Sequence, residues 1–185
     1  MASITTGTLF HAYVREDGDA DIWNSNFSPP EVQRRVFREQ MALAERLQLP
    51  IFLHCRDAFD DFVTILTEFP RVRKCVHCHT DPDAAHLDRL LALDCYIGIT
   101  GWVADDRRGT ELQALIPRIP LDRLFIETDA PYLLPRNMPK PWPKQNEPAL
   151  LPFVAEKIAD CYGGQYTLAQ VAEATTQNAL AFFQL

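Results

Sequence analysis

The sequence predicts an α/β fold of about four to five parallel βα units closed by C-terminal helices. Four short apolar runs, Ile51–Cys55, Lys74–Cys78, Cys95–Thr100 and Leu124–Thr128, are rich in Ile, Val, Phe, Tyr and Cys and read as strands. Their first residues lie 21 to 29 positions apart, which leaves room for one crossover helix per interval, as a parallel pair requires. The polar residues of chemical interest fall at strand ends, where parallel sheets gather their active sites.

Each helix has its own signal. Ser28-Pro29-Pro30-Glu31 reads as a capping box, with Ser28 at the cap and Pro29 at the first helical position. Val32, Val36, Leu43 and Leu47 then mark one side of a helix ending near Leu49, before Pro50. Further helices are expected over Ala58–Phe69, over Pro82–Leu93 with Leu87, Leu90 and Leu91 inward, and over Gly109–Ile116 before two prolines. A proline-rich loop, Ala130–Pro148, follows the last strand. Helices over Ala149–Cys161, Leu168–Ala174 and Thr176–Phe183 complete the chain.

The 185 residues, 47% of them hydrophobic, suit one compact domain. No apolar run reaches the length of a membrane-spanning helix. The opening MASITTGTLFHAYV lacks the basic start and continuous apolar stretch of a signal peptide, so the expected location is cytoplasmic. Five cysteines, Cys55, Cys75, Cys78, Cys95 and Cys161, mostly beside apolar runs, read as reduced buried thiols. A net charge of −7 counts against a module that binds nucleic acid by bulk attraction. It counts less against a metal-dependent nuclease, whose positive field is local.

Three strand ends carry metal-ligand types. Alternation in IFLHC puts Phe52 and His54 on one face. In KCVHCH, Cys75, His77 and His79 share a face, and in FIETD Phe125, Glu127 and Asp129 do. A single strand-end His is more often a hydrogen-bonded core residue. His, His and Asp on three strand ends in register raise a metal site to an equal reading, with Zn²⁺, Mn²⁺ or another first-row ion suited to the donors. Cys75-Val-His-Cys78 is a poor CxxC site, because positions i and i+3 of an extended strand point apart. His11 and His86 carry no pattern. Asp105-Asp106-Arg107-Arg108 is either a solvated turn or a phosphate grip, since Arg binds phosphate bidentately. Asn146-Glu147-Pro148 either caps the next helix or closes the pocket floor.

The runs NFSPPEVQRRVFREQMALAERLQLPIFLHCRDA, VHCHTD, YIGITGWVADDRRG, RLFIETDAPYLLPR and NEPALLPFVAEKIA, in this order, resemble the TatD family. That resemblance implies a partial TIM-type (βα)8 barrel over residues 28–185, preceded by an atypical segment over residues 1–27. It also implies a divalent-metal hydrolase that cleaves DNA phosphodiester bonds, often as a 3′–5′ exonuclease. By motif, His54, His77 and Asp129 would hold the metal, Asp129 and Glu127 would be catalytic, and Arg56, Arg107, Arg108, Asn146 and Glu147 would meet substrate. Mg²⁺ is the implied cofactor, with Mn²⁺ or Zn²⁺ as alternatives.

The chain departs from the family at its start. The family opens with an Asp-x-His-x-His strand, for which Thr8-Leu9-Phe10-His11 is a poor substitute. Gly18 stands where a metal-bridging Glu is expected, and VHCHTD carries His79 and Asp81 in place of an aromatic and a Gly. The expectation is a truncated product, an alternative transcript or a replaced N-terminal part, with one sheet edge left open. Two other readings follow: a catalytically impaired remnant with a binding role or none, and a wider amidohydrolase. The latter lacks a strand-end Lys, since Lys74 begins its strand.

Overall fold

In the computed structural model the described residues are 10–15, 29–56 and 58–185, the first six as backbone alone. They form a five-stranded parallel sheet, β1 (Phe10–Arg15), β2 (Ile51–Arg56), β3 (Lys74–Val76), β4 (Cys95–Ile99) and β5 (Leu124–Ile126), paired strictly in sequence order. Sequential order is the winding of a barrel arc; a doubly wound sheet reverses direction at a switch point. The helices α1 (Pro30–Leu47), α2 (Phe59–Thr67), α3 (Ala84–Ala92), α4 (Thr110–Leu115), α5 (Leu151–Cys161) and α6 (Leu168–Phe183) follow the strands. No described helix is long and apolar enough to cross a membrane.

Four strands lie where the composition put them. The fifth, β1, comes from the segment expected to be atypical and pairs with β2 over six residues, from Phe10 opposite Ile51 to Arg15 opposite Arg56. Phe10 and His11 of the poor-substitute motif lie on its backbone, whereas Thr8, Leu9, Ser28 and the Glu16–Asp21 run with Gly18 lie outside the described residues.

The pleat sorts the side chains. Ile51, Leu53, Val76, Ile97, Ile99 and Leu124 pack outward into the main core with α1 to α5. Cys75 and Phe125 face the concave side with Phe52 and Tyr96, and α6 plugs that side with Phe182 and Phe183. The Phe182 ring meets Tyr96 and Phe125 edge-on, each at 5.2 Å between centroids. Above this aromatic layer, on the same face and toward the strand ends, lie His54, His77 and Glu127.

Several helix expectations need correction. Helix α1 begins at Pro30 with Pro29 as its cap and no capping side-chain hydrogen bond. Its buried side is Gln33, Phe37, Met41 and Ala44, not the expected stripe, since Val36 and Leu47 are exposed. The stacking of Phe37 on Phe62 of α2, at 5.5 Å, fixes that rotation. The expected break at Thr175 does not occur either. The Thr175 hydroxyl donates to the Val171 carbonyl at 2.9 Å, so α6 absorbs this buried polar residue without ending.

Because Phe182 is fully buried against two aromatic rings, Phe182→Ala should cost about 3–5 kcal/mol of stability. Urea unfolding measures this, and a cost under about 1 kcal/mol would contradict the packing described.

Candidate functional site

The site is assembled where three strands end. Strand β3 stops at Val76, two residues sooner than expected, because Cys78 takes a left-handed backbone with φ 48°. The turn holds His77 in place through its N–H, which donates to the Leu53 carbonyl at 2.8 Å. On the facing side Glu127 follows β5, with its N–H donating to the Ile99 carbonyl at 2.9 Å. Its carboxylate accepts from the Cys78 N–H at 3.2 Å and lies 2.9 Å from His77 Nδ1. Glu127 reaches this far only because Gly98 lies between: a Cβ there would fall on the Glu127 carboxylate.

His54 stands beside His77, ring centroids 5.3 Å apart. Asp129 completes the group, its Oδ1 3.9 Å from His77 Nδ1. Burial pushes the His77 imidazole down, but the hydrogen bond and charge of Glu127, with the charge of Asp129, outweigh it and leave His77 raised. With Nδ1 facing Glu127, the carboxylate fixes the orientation of the imidazole, as carboxylates commonly do for ligating histidines.

His54 and His77 thus lie side by side, Asp129 lies near His77, and Glu127 joins them through His77. His79 does not. The left-handed turn at Cys78 breaks the alternation that put it on the same face. His79 is buried, its N–H donates to the Gly98 carbonyl at 2.9 Å, and its electrostatic neighbours are Asp81 and His86. Burial lowers it to about 4, so it is neutral. His86 is structural, stacked on Phe59 at 3.6 Å with Nδ1 2.6 Å from Asp81.

The same turn brings in Cys78, which the extended-strand argument excluded. Its sulfur lies 3.7 Å from the buried Thr100 hydroxyl, and burial and the Asp129 carboxylate push the thiol up to about 12. It stays protonated, a packing and donor group. Cys75 lies 3.9 Å from Glu127 Oε1, is raised by burial, and is like the other four cysteines a free thiol.

Arg56 ends β2 with its side chain exposed. Arg107 and Arg108 fork onto Asp105, at 3.0 and 2.9 Å, and Arg136 approaches it at 3.6 Å. Asp105 is buried, so the turn is not simply solvated: it is cationic heads on a covered carboxylate. The Arg107 hydrogen bonds, opposed by burial and helped by Arg108 and Arg136, hold Asp105 well below the usual carboxylate range.

Asn146 works inside the loop rather than at its surface. Its amide donates to the carbonyls of Thr128, Tyr132 and Leu133 at 2.6, 2.8 and 3.2 Å, and its own oxygen accepts from the Glu147 N–H at 2.9 Å. These bonds brace the turn that carries Asp129, itself left-handed with φ 54°. Glu147 is exposed.

A metal ion would find suitable donors here: two imidazoles and a carboxylate that is about a third exposed. Among the described residues, no three His, Cys, Asp or Glu side chains already stand in a metal-binding arrangement. The donor set is thus defined by chemistry and neighbourhood, not by a preformed cage.

Comparison with known proteins bears on this site. Residues 19–184 match the family model described as TatD related DNase. The chain is 48% identical over 168 residues to the "3'-5' ssDNA/RNA exonuclease TatD" of Pectobacterium parmentieri, covering 88% of this chain and 63% of that protein. A Yersinia pseudotuberculosis protein of the same description is 51% identical over 142 residues, 74% of this chain and 54% of its own length. Among solved structures, a TatD homologue from Escherichia coli superposes with a TM-score of 0.75 at 24% identity, covering 94% of this chain and 62% of that one. A TatD family hydrolase from Entamoeba histolytica superposes at 0.74 and 22% identity, over 88% and 60%. These two likenesses speak to the fold. The chain thus spans under two thirds of the length of the relatives it matches.

Two outcomes follow from the bracing groups. Asn146→Ala should destabilise the chain by about 1–3 kcal/mol and speed proteolysis within residues 130–147, read by urea unfolding and limited digestion. Because Asp105 is depressed when folded, its stabilisation is present above its unfolded value near pH ~4 and lost as pH falls toward the folded value. The gap in urea midpoint between parent and Asp105→Asn should therefore be widest at neutral pH and shrink by about pH 3. A gap that grows on acidification would reverse the assignment.

Proposed function

Since the chain belongs to the TatD-related DNase family, we propose that it is a divalent-metal phosphodiesterase acting on single-stranded nucleic acid. The observation that carries this reading is the convergence of His54, His77 and Asp129 at three strand ends, with Glu127 held against His77 Nδ1. In this reading His54, His77 and Asp129 hold the ion, with Mg²⁺ proposed and Mn²⁺ or Zn²⁺ as alternatives. A bound divalent ion supplies charge to a phosphoryl oxygen and lowers the pKa of water.

The remaining roles belong to the chain's own side chains. Asp129 is the proposed general base: its carboxylate is partly exposed and its backbone is braced. Glu127 is a positioning residue rather than a second base, since it acts through His77. Arg56, Arg107 and Arg108 offer exposed guanidinium groups to substrate phosphate. Asn146 positions the Asp129 turn. The named activity of the relatives, 3′–5′ exonuclease on single-stranded DNA or RNA, is the proposed polarity and substrate range. A binding role without catalysis is the second reading, favoured by the absence of a preformed cage among the described residues.

The test uses the purified chain, an end-labelled single-stranded oligonucleotide and Mg²⁺ or Mn²⁺, with EDTA as the blank. His54→Ala and Asp129→Ala should each reduce hydrolysis at least about 100-fold. Glu127→Gln should raise the metal concentration for half-maximal rate about 10- to 100-fold and lower the rate at saturating metal far less. Unchanged hydrolysis in the first two variants would refute the metal assignment. A parent that neither hydrolyses the oligonucleotide nor binds the ion by calorimetry would favour the second reading; tight metal binding lost in His77→Ala would count against it.

A further inference from the structure

Two tryptophans stand on the loops that follow β4 and β5, and cations cover both. Arg108 lies 4.1 Å over the Trp102 ring; Arg136 and Lys140 lie 5.3 and 5.0 Å from the Trp142 ring. One buried carboxylate links the two clusters. Asp105, its side chain 3% exposed, takes Arg108 at 2.9 Å on one side and Arg136 at 3.6 Å on the other. The order across the surface is Trp102, Arg108, Asp105, Arg136, Trp142, Lys140. The negative charge is underneath, while Arg108 and the neighbouring Arg107 keep 49% and 64% of their side chains in solvent.

This strip adjoins the candidate site. At Gly101, beside Trp102, a Cβ would strike the Leu133 carbonyl, so the two loops pack backbone to backbone. Thr100 precedes it and touches the Cys78 sulfur beside Asp129. On a chain of net charge −7, alternating indole rings and cationic heads form a local exception to the acidic surface. Indole faces stack on bases, and guanidinium and ammonium groups meet the phosphates between them. A duplex hides its base faces, whereas a single strand presents them.

We propose that Trp142, Arg136, Lys140 and Arg108 form a stacking platform for a single-stranded polynucleotide, with Trp102 holding Arg108 from the core side, organised by Asp105 and leading toward the strand-end site. The direction toward that site rests on the phosphodiesterase reading; binding to the platform does not. Loop-borne Trp142 is the best single probe. Trp102 also packs on the core.

The test is fluorescence anisotropy of labelled single-stranded DNA and RNA oligonucleotides of about 15 nucleotides, with the full chain in EDTA at about 50 mM salt. EDTA stops turnover, so binding is read apart from hydrolysis. Trp142→Ala should weaken binding about tenfold, with Trp142→Phe close to parent. Arg136→Ala should weaken it about fivefold and reduce the salt slope by about one. Arg35→Ala, on the exposed face of α1, should stay within about twofold. Preference for DNA or for RNA would identify which strand the platform serves. The proposal is overturned if the parent does not bind, if Trp142→Ala and Arg136→Ala match it, or if duplex binds as tightly as single strand. Loss of hydrolysis in His54→Ala with EDTA binding intact would uphold both readings separately. Intact binding with no parent hydrolysis would fail the catalytic reading alone.

Discussion

The Glu127 carboxylate leaves the end of β5, crosses β4 where Gly98 has no side chain, and meets His77 Nδ1 and the Cys78 N–H beyond β3. This span ties three consecutive strand ends into one unit. It demands a glycine on the middle strand, a left-handed turn on the far strand and a short β5. The orientation of the His77 ring is fixed by the same bond, as carboxylates commonly fix ligating imidazoles. The proposed roles of His77 and Glu127 are therefore one geometric fact seen from two ends.

Beneath that span the concave face of the arc is filled by aromatics. Phe52, Tyr96, Phe125 and Phe182 form a dry floor under the polar strand ends, as barrel interiors are filled by layers of side chains. Apolar walls strengthen the pull of Glu127 on His77, since little solvent is left to screen it. The C-terminal helix thus serves the site as well as the core, by keeping its floor closed.

Much of this was legible in the sequence because strand composition and spacing are local signals. Period-two alternation puts His54, His77 and Asp129 on strand-end faces together with His79 and Glu127, and the resemblance to a known family is needed to single the three out. His79 and Cys78 were exchanged, because the alternation assumed an extended chain through Cys78, and nothing in KCVHCH announces a non-glycine residue at positive φ. The buried face of α1 was missed for a similar reason. Val32, Val36, Leu43 and Leu47 are as apolar as the true face, and only the partner ring of Phe62 decides the rotation. Asn146 reads as a helix cap, a pocket-floor residue or a substrate contact, because its three carbonyl partners share a loop but no motif. The strand β1 was missed although Phe10, Ala12, Tyr13 and Val14 are apolar, because the six-residue run reads as part of an atypical segment and its pairing with β2 is long-range.

The chain's charge and its proposed substrate are reconciled by where the charges sit. A net charge of −7 opposes a polyanion only when spread over the surface, since screening at physiological salt confines each charge to about 8 Å. Asp105 is covered by Arg107, Arg108 and Arg136, so its charge serves to orient them while it is hidden from an approaching strand. One of the 25 carboxylates that make the composition acidic thus holds the cationic heads together. Asn146 fixes the other half of that surface from within, bracing the loop that carries Asp129 at one end and leads to Arg136 and Trp142 beyond it. Buried polar groups, each with its partners satisfied, thereby convert two irregular loops into a surface of definite shape next to the strand ends.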